Sequence, residues 1–228
     1  MSDLASATLF VVGTPIGNLG DMTERAKEIL STVDMVFCED TRVTRNLMKH
    51  IGSTVPLLSL HQHTTPAQLD RIVQQIADGK TAAYVTDAGT PGISDPGGKI
   101  VDLAYAKGVT VIGIPGPSAV ITALSISGFP TDSFLFLGFL PHKKGRETLF
   151  RRIAETEETV VLYESPHRLI RALESLSQGI DDRRVAVCRE LTKIYESVVR
   201  GTVKEVIKYF TDHPDQVRGE VVIIIAPR

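Results

Sequence analysis

The sequence predicts an α/β protein of two domains, with a parallel sheet in the first and a mixed sheet in the second. Three observations predict it. Apolar runs of strand length alternate with amphipathic helical stretches from the start of the chain, which is the pattern of parallel strands joined by crossover helices. The run Pro115-Gly116-Pro117 then stops both helix and sheet ladder, and this divides the chain into residues 1–117 and 118–228. Beyond that point, the strand-like runs Arg184 to Glu190 and Tyr195 to Arg200 are separated too briefly for a helical crossover, so they pair antiparallel.

The elements follow in order. Thr8 to Gly13 (TLFVVG) reads as a buried first strand, and a glycine-containing loop leads to a helix from Thr23, its N-cap, to Ser31. Met35 to Cys38 is the second strand and Thr44 to Ile51 the next helix. Leu57 to Leu60 forms a short strand, Pro66 to Asp78 a helix with proline in its first turn, and Thr81 to Thr86 a strand ending in a loop. Pro96 to Lys107 is helical, and Thr110 to Ile114 completes the first series. After the boundary come a helix at Ser118 to Ser127 and strands at Phe134 to Gly138, Thr159 to Glu164, Arg184 to Glu190, Tyr195 to Arg200 and Val221 to Ala226.

Composition narrows the function. With 228 residues, 43% of them hydrophobic, the chain can build one large core or two small ones, which excludes a disordered protein. Its 25 basic and 27 acidic residues create no general positive field, so nucleic acid would have to be held by a local patch. Residues 1–117 hold 9 basic and 12 acidic side chains and residues 118–228 hold 16 and 15, which makes the second half the home of an anionic substrate. Within it, Pro141 to Arg152 (PHKKGRETLFRR) places five Lys or Arg beside a single Glu. Cys38 and Cys188 lie far apart in apolar runs and read as reduced core residues. The N-terminus carries no basic start with an apolar core, and no stretch approaches the ~20 apolar residues of a membrane helix, so a cytoplasmic location is expected.

Three loops are built for a ligand. They are Gly13 to Gly20 (GTPIGNLG), Asp87 to Gly98 (DAGTPGISDPGG) and Pro115 to Ala119 (PGPSA), each after a predicted strand, where ligands of open parallel sheets collect. Glycine lets main chain approach a ligand closely, and proline reduces the entropy lost on binding. The first loop departs from the dinucleotide fingerprint G-x-G-x-x-G, its spacing being G-x-x-x-G-x-x-G. Glu39 or Asp40 could stand for the ribose-binding acid, which leaves a nicotinamide or flavin enzyme open. Pro15 removes an amide that would face a pyrophosphate.

At these residues the sequence resembles the tetrapyrrole methylase superfamily, and within it the bacterial 16S rRNA ribose 2′-O-methyltransferases. VVGTPIGNLGDMTERA, CEDTR, DAGTPGISDPG, PGPSAVITALSISGFP, GFLP, LYESPHR and RGEVVIII carry the resemblance, which runs over essentially the whole chain. It implies a two-domain tetrapyrrole-methylase-like fold with S-adenosyl-L-methionine in the cleft between domains. It also implies a homodimer and methylation of the ribose 2′-hydroxyl of a decoding-centre cytidine in 16S rRNA of the small ribosomal subunit. A tetrapyrrole C-methyltransferase acting on uroporphyrinogen or a precorrin is the alternative, against which LYESPHR and CREL speak. Carried over by motif, the cofactor contacts would be Pro15 and Ile16, then Asp87, Gly89 and Thr90, then Ser118 and Ala119, with Leu162 and Tyr163 closing over the adenosine. Relatives of this type often continue into a C-terminal helical segment, whereas the sequence ends at Arg228 after its last strand; RNA contacts of such a segment are expected to be missing from it.

Methyl transfer to a hydroxyl is an in-line displacement helped by orientation and by a base that takes the hydroxyl proton, and it requires no metal. Asp87 ends a strand at the ligand loops, where its charge favours a cationic donor. Asp40, Arg42 and Arg45 follow the second strand, either as a capping acid with solvated bases or, by the resemblance, with Asp40 and Arg42 in the catalytic set. Glu164, His167 and Arg168 end LYESPHR, while Arg189, Glu190 and Lys193 end CRELTK. These are candidates to hold or deprotonate the ribose, unless Glu164 pairs with Arg189, or Arg168 with Glu190, across the second sheet. His61 and His63 lack the spacing of a metal site. His142 with Lys143, Lys144, Arg146, Arg151 and Arg152 is a charged run that the resemblance turns into a phosphate-contact surface.

Overall fold

A computed structural model of the chain describes residues 7–61, 63–95, 97–180 and 183–228. The chain folds into two compact units, Met1–Ser118 and Ala119–Arg228.

The first unit alternates strand and helix: β1 (Thr8–Val12), α1 (Glu24–Thr32), β2 (Met35–Cys38), α2 (Thr41–Ile51), β3 (Leu57–Ser59), α3 (Pro66–Ala77), β4 (Thr81–Val85), α4 (Gly98–Ala106) and β5 (Thr110–Ile114). Its five strands lie in the order β3-β2-β4-β1-β5, every pair parallel. Side chains alternate between two apolar layers, as strand pleating demands. Phe10, Val12, Val36, Cys38, Ala83 and Val85 pack with Ala26, Leu30, Leu47 and Met48 of α1 and α2. Leu9, Phe37, Ala82 and Tyr84 face Val73, Ile76, Ile100 and Ala104 of α3 and α4. Both faces are therefore covered, which is why these strands read as continuous apolar runs.

Capping explains two boundaries. Thr23 caps α1 through its hydroxyl and Ala26 N–H. The predicted helix at Thr44 begins three residues earlier, because Asp40 accepts the N–H of Arg42 at 2.8 Å and starts the turn at Thr41. Of the helix predicted over Pro96 to Lys107, residues Gly98–Ala106 are helical, while Pro96 lies outside the described residues.

The second unit contains α5 (Ala119–Ser127), β6 (Phe134–Phe139), α6 (Arg146–Glu155), β7 (Thr159–Glu164), α7 (Leu169–Ser177), β8 (Arg184–Arg189), β9 (Ser197–Thr202), α8 (Val203–Asp212) and β10 (Val221–Ile225). The order is β6-β7-β10-β8-β9. β6 and β7 run parallel, and the remaining pairs are antiparallel, so the sheet is mixed. Its main core joins Val160 and Leu162 of β7, Val185 and Val187 of β8, and Val221, Ile223 and Ile225 of β10 to Ile153, Leu169, Leu173, Val206 and Phe210 of α6, α7 and α8. Each such fully buried side chain contributes roughly 1.5–3 kcal/mol. The strand predicted over Tyr195 to Arg200 runs instead from Ser197 to Thr202. Glu190 and Thr192 adopt left-handed backbone angles, and Thr192 N–H donates to the Glu196 carboxylate, so residues 190–196 form a stiff connection rather than strand.

Candidate active site

The loops after β4, β1 and β5 leave three neighbouring parallel strands, and the chain departs from β1 towards β2 on one side while β4 leads to β5 on the other. Such a reversal of direction opens a crevice at the carboxyl ends. Main chain ties the loops together. Thr14 and Gly89 exchange backbone hydrogen bonds at 2.9 and 3.1 Å, and the Thr14 hydroxyl donates to the carbonyl of Thr86 at 3.2 Å. The Thr90 hydroxyl donates to the carbonyl of Pro117 at 3.1 Å, joining the second loop to the third. A β-carbon on Gly116 would lie 2.8 Å from the Cα of Gly13, so the first and third loops touch backbone to backbone, which only glycine permits.

Of the residues carried over as cofactor contacts, Pro15, Ile16, Asp87, Gly89, Thr90 and Ser118 lie in the first unit, and Ala119, Leu162 and Tyr163 in the second. Ile16 is buried and Pro15 half-buried. Gly89 has φ +83, a backbone conformation that favours glycine, and lies in ordinary contact with the Ile16 side chain. Asp87 is exposed, and its Oδ1 accepts the backbone N–H of Asp40 at 3.1 Å. Ser118 and Ala119, both half-buried, follow the third loop, and Ala119 opens α5.

Two further acids belong to the same place: Asp95, which lies inside the second loop but was not singled out from the sequence, and Glu39, read there only as a possible ribose-binding acid. Burial, then the charges of Asp87 and Asp95, raise the Glu39 carboxyl above its usual range. Tyr84, fully buried, is pushed well up by burial and by Asp95, Glu39 and Asp87. Asp95 closes its own loop by accepting the N–H groups of Gly92 and Gly97, each at 2.7 Å. The signal for Asp95 was its place within DAGTPGISDPGG, and for Glu39 its position one residue beyond β2. The loops therefore offer main-chain groups, small residues and net negative charge, a donor set suited to a ligand that carries positive charge.

Asp40 and Arg42 form a local pair, with Asp40 Oδ2 2.6 Å from Arg42 Nη2. The Arg42 side chain, followed by its N–H, holds the Asp40 carboxyl down to about 2. The capping reading of these two residues is what the geometry displays.

The second unit gathers the other candidates differently. Glu164 is buried, and its Oε1 meets Arg168 Nη2 at 2.5 Å and accepts Ser165 N–H at 2.7 Å. Arg168 Nη1 donates to the carbonyl of Leu140. Glu164 and Arg189 do not pair, because both flank Val221 of the intervening β10, a separation of about 10 Å across two strand spacings. Arg189 donates instead to Ser197 Oγ at 3.2 Å and to the carbonyl of Tyr195 at 3.0 Å. Nor does Arg168 pair with Glu190, whose Oε1 binds Lys193 Nζ at 2.9 Å and the N–H of Glu220 at 2.9 Å. Burial pushes the Glu190 carboxyl up, but the Glu220 N–H and Lys193 outweigh it and leave it below its usual range. Leu162 is fully buried among the core side chains of the second unit. Tyr163 points to the opposite face, half-buried beside Phe136 and Phe139, with ring centroids 5.1 and 5.3 Å away.

Of the basic run, Lys143, Lys144, Arg151 and Arg152 are exposed. Arg146 is half-buried, donates to the carbonyl of Pro141 at 3.2 Å and lies over the Phe150 ring at 4.9 Å. Among the described residues no cluster of His, Cys, Asp or Glu is placed to hold a metal ion, and no helix is long and apolar enough to cross a membrane.

The family model for tetrapyrrole (corrin/porphyrin) methylases matches residues 8–207. The chain belongs to the tetrapyrrole methylase family. Its class of chemistry is methyl transfer, which requires a methyl donor. Among its relatives, the ribosomal RNA small subunit methyltransferase I of Xylella fastidiosa is 46% identical, over 96% of this chain and 81% of that protein. The protein of the same name from Thermotoga maritima is 39% identical, over 96% of this chain and 97% of that one. The solved uroporphyrin-III-C-methyltransferase of Thermus thermophilus superposes with a TM-score of 0.64 at 16% identity, over 96% of this chain and 94% of that chain, which extends the tetrapyrrole methylase fold to both units.

Proposed function

We propose that this chain transfers a methyl group from S-adenosylmethionine to the ribose 2′-hydroxyl of a decoding-centre cytidine in 16S rRNA of the small ribosomal subunit. The observation that carries the reading is similarity over 96–98% of this chain and 78–81% of each relative, at 39–46% identity, to proteins named ribosomal RNA small subunit methyltransferase I. In this reading the protein works as a homodimer in the cytoplasm.

The loop cluster fits the donor. Gly13 and Gly116 sit where a β-carbon would press on the backbone of the neighbouring loop, and Gly89 adopts a φ of +83 that favours glycine. Glu39, Asp87 and Asp95 supply charge opposite to a sulfonium and an ammonium group. When bound, the donor would supply a methyl carbon made electrophilic by positive sulfur: its carbon–sulfur bond would break as the carbon–oxygen bond forms, S-adenosylhomocysteine would leave, and the 2′-hydroxyl proton would pass to solvent. Main-chain groups around Thr14, Gly89 and Pro117 fix orientation, the source of most of the acceleration in such a displacement. Arg168, held at one end by Glu164 and at the other by the Leu140 carbonyl, presents a positioned cation for the RNA. Lys143, Lys144, Arg151 and Arg152 supply phosphate contacts, which set register rather than sequence.

Incubation with methyl-labelled S-adenosylmethionine and either small ribosomal subunits or uroporphyrinogen tests the reading. Label in a ribose of 16S rRNA is expected; label confined to the macrocycle would end it. Subunit binding without transfer of label would leave only an RNA-binding protein.

A further inference from the structure

β6 is an edge strand whose pairing with β7 shifts register between Phe136 and Phe139. Gly138 makes the shift possible with φ +64. A bulge of this kind re-aims the residue beside it, here Phe139, which is 59% exposed. The ring is nonetheless fixed from behind. It leans at 52° on Tyr163, whose other side carries Phe136, and Tyr163 is held by a hydrogen bond with the backbone of Val120. Leu140, 1% exposed, anchors the chain immediately after it, and its carbonyl is taken by Arg168.

An aromatic ring that is held from behind and open in front offers a ready-made stacking surface. The charge of the same segment indicates for what. From Ser133 to Arg146 there is no acidic residue, whereas His142, Lys143 and Lys144 follow Phe139 after Leu140 and Pro141 and are exposed. An open aromatic face with exposed lysines four and five residues further along the chain matches a single-stranded nucleotide, its base stacking on the ring and its phosphate meeting the lysines.

We infer that Phe139 is the stacking platform for an unpaired nucleobase of the RNA substrate. The inference rests on the rRNA reading above and adds to it the residue that grips a base.

The test compares Phe139→Ala and Phe139→Trp with the unaltered full chain, using small ribosomal subunits and a labelled single-stranded oligoribonucleotide. Phe139→Ala is expected to weaken binding of both by roughly 5- to 150-fold, the range that follows from loss of one stacked base. Phe139→Trp is expected to restore it, and affinity for S-adenosylmethionine should change less than about 2-fold. RNA affinity unchanged in Phe139→Ala overturns this inference alone, and so does a parallel loss of S-adenosylmethionine affinity, which would assign the ring to the donor site. Loss of self-association in sedimentation together with unchanged RNA affinity would assign it to a protein interface. No binding of subunits by the unaltered chain overturns the rRNA reading and this inference with it.

Discussion

The two units carry candidate site residues made of different material. In the first, the loops after β1, β4 and β5 are joined by main-chain hydrogen bonds, threonine hydroxyls and the backbone contact of Gly13 with Gly116. In the second, side chains hold one another: Glu164 with Arg168, Glu190 with Lys193 and Glu220, Arg189 with Ser197 and Tyr195. A surface of backbone tolerates exchange of most side chains and fails when a β-carbon is added. A surface of charges fails when a partner is removed. The two should therefore respond to opposite kinds of substitution.

The largest effect is expected from the charged side. Changing Lys143, Lys144 and Arg146 together to Glu should lower kcat/KM on small ribosomal subunits at least about 100-fold at low salt. It should also flatten the slope of log affinity against log salt by about 1 for each phosphate that is no longer neutralised. Donor affinity should stay intact, and equal turnover on subunits would remove this segment from the RNA surface.

The backbone side is probed next by Gly116→Ala. Overpacking of about 1–3 kcal/mol should cost roughly 5- to 150-fold in S-adenosylmethionine affinity, read by calorimetry. Normal affinity would show that the first and third loops can separate without harm. Asp87→Ala removes a carboxylate that also accepts Asp40 N–H, and a loss of about 10-fold is expected, corresponding to about 1.4 kcal/mol. Unchanged affinity would refute a cofactor role for Asp87.

Glu164→Gln sharpens the contrast. Removing the charge partner of Arg168 should lower unfolding stability by about 2 kcal/mol in urea titration, with donor affinity unaltered. Native stability combined with lost turnover would move Glu164 from holding Arg168 to the chemistry itself.

The smallest effect concerns acid. Arg42 depresses the Asp40 carboxyl from 3.8 to about 2, so its contribution to stability is complete above pH 3.8. That contribution disappears as the pH falls through the depressed value. The stability advantage of the unaltered chain over Asp40→Asn should therefore shrink between pH 3.8 and pH 2; a constant difference would break the pairing argument.

Much of the first unit could be read directly because its signals are local. Apolar runs mark strands buried on both faces, and Thr23 and Asp40 cap helices within their own turns. GTPIGNLG, DAGTPGISDPGG and PGPSA announce bends through residues whose backbone preferences do not depend on distant neighbours. The surroundings that Glu39 and Asp95 share with Asp87 were not legible, because they arise only once β2 and β4 lie side by side. In the second unit the two cross-sheet ion pairs left open as the alternative to a functional role do not form, for one reason: the last strand, β10, inserts between β7 and β8.

By itself, then, the sequence determined the alternation of strand and helix, the parallel first sheet, the antiparallel turn of the second and the three loops that punctuate strand ends. Those features follow from periodicity, chain stiffness and connection length, all of them properties of neighbouring residues. Only the tertiary structure decided which charge meets which, that Leu162 turns inward while Tyr163 supports Phe139, and that Gly13 must touch Gly116. Such choices depend on strand order, and strand order is settled by the packing of residues far apart in the chain.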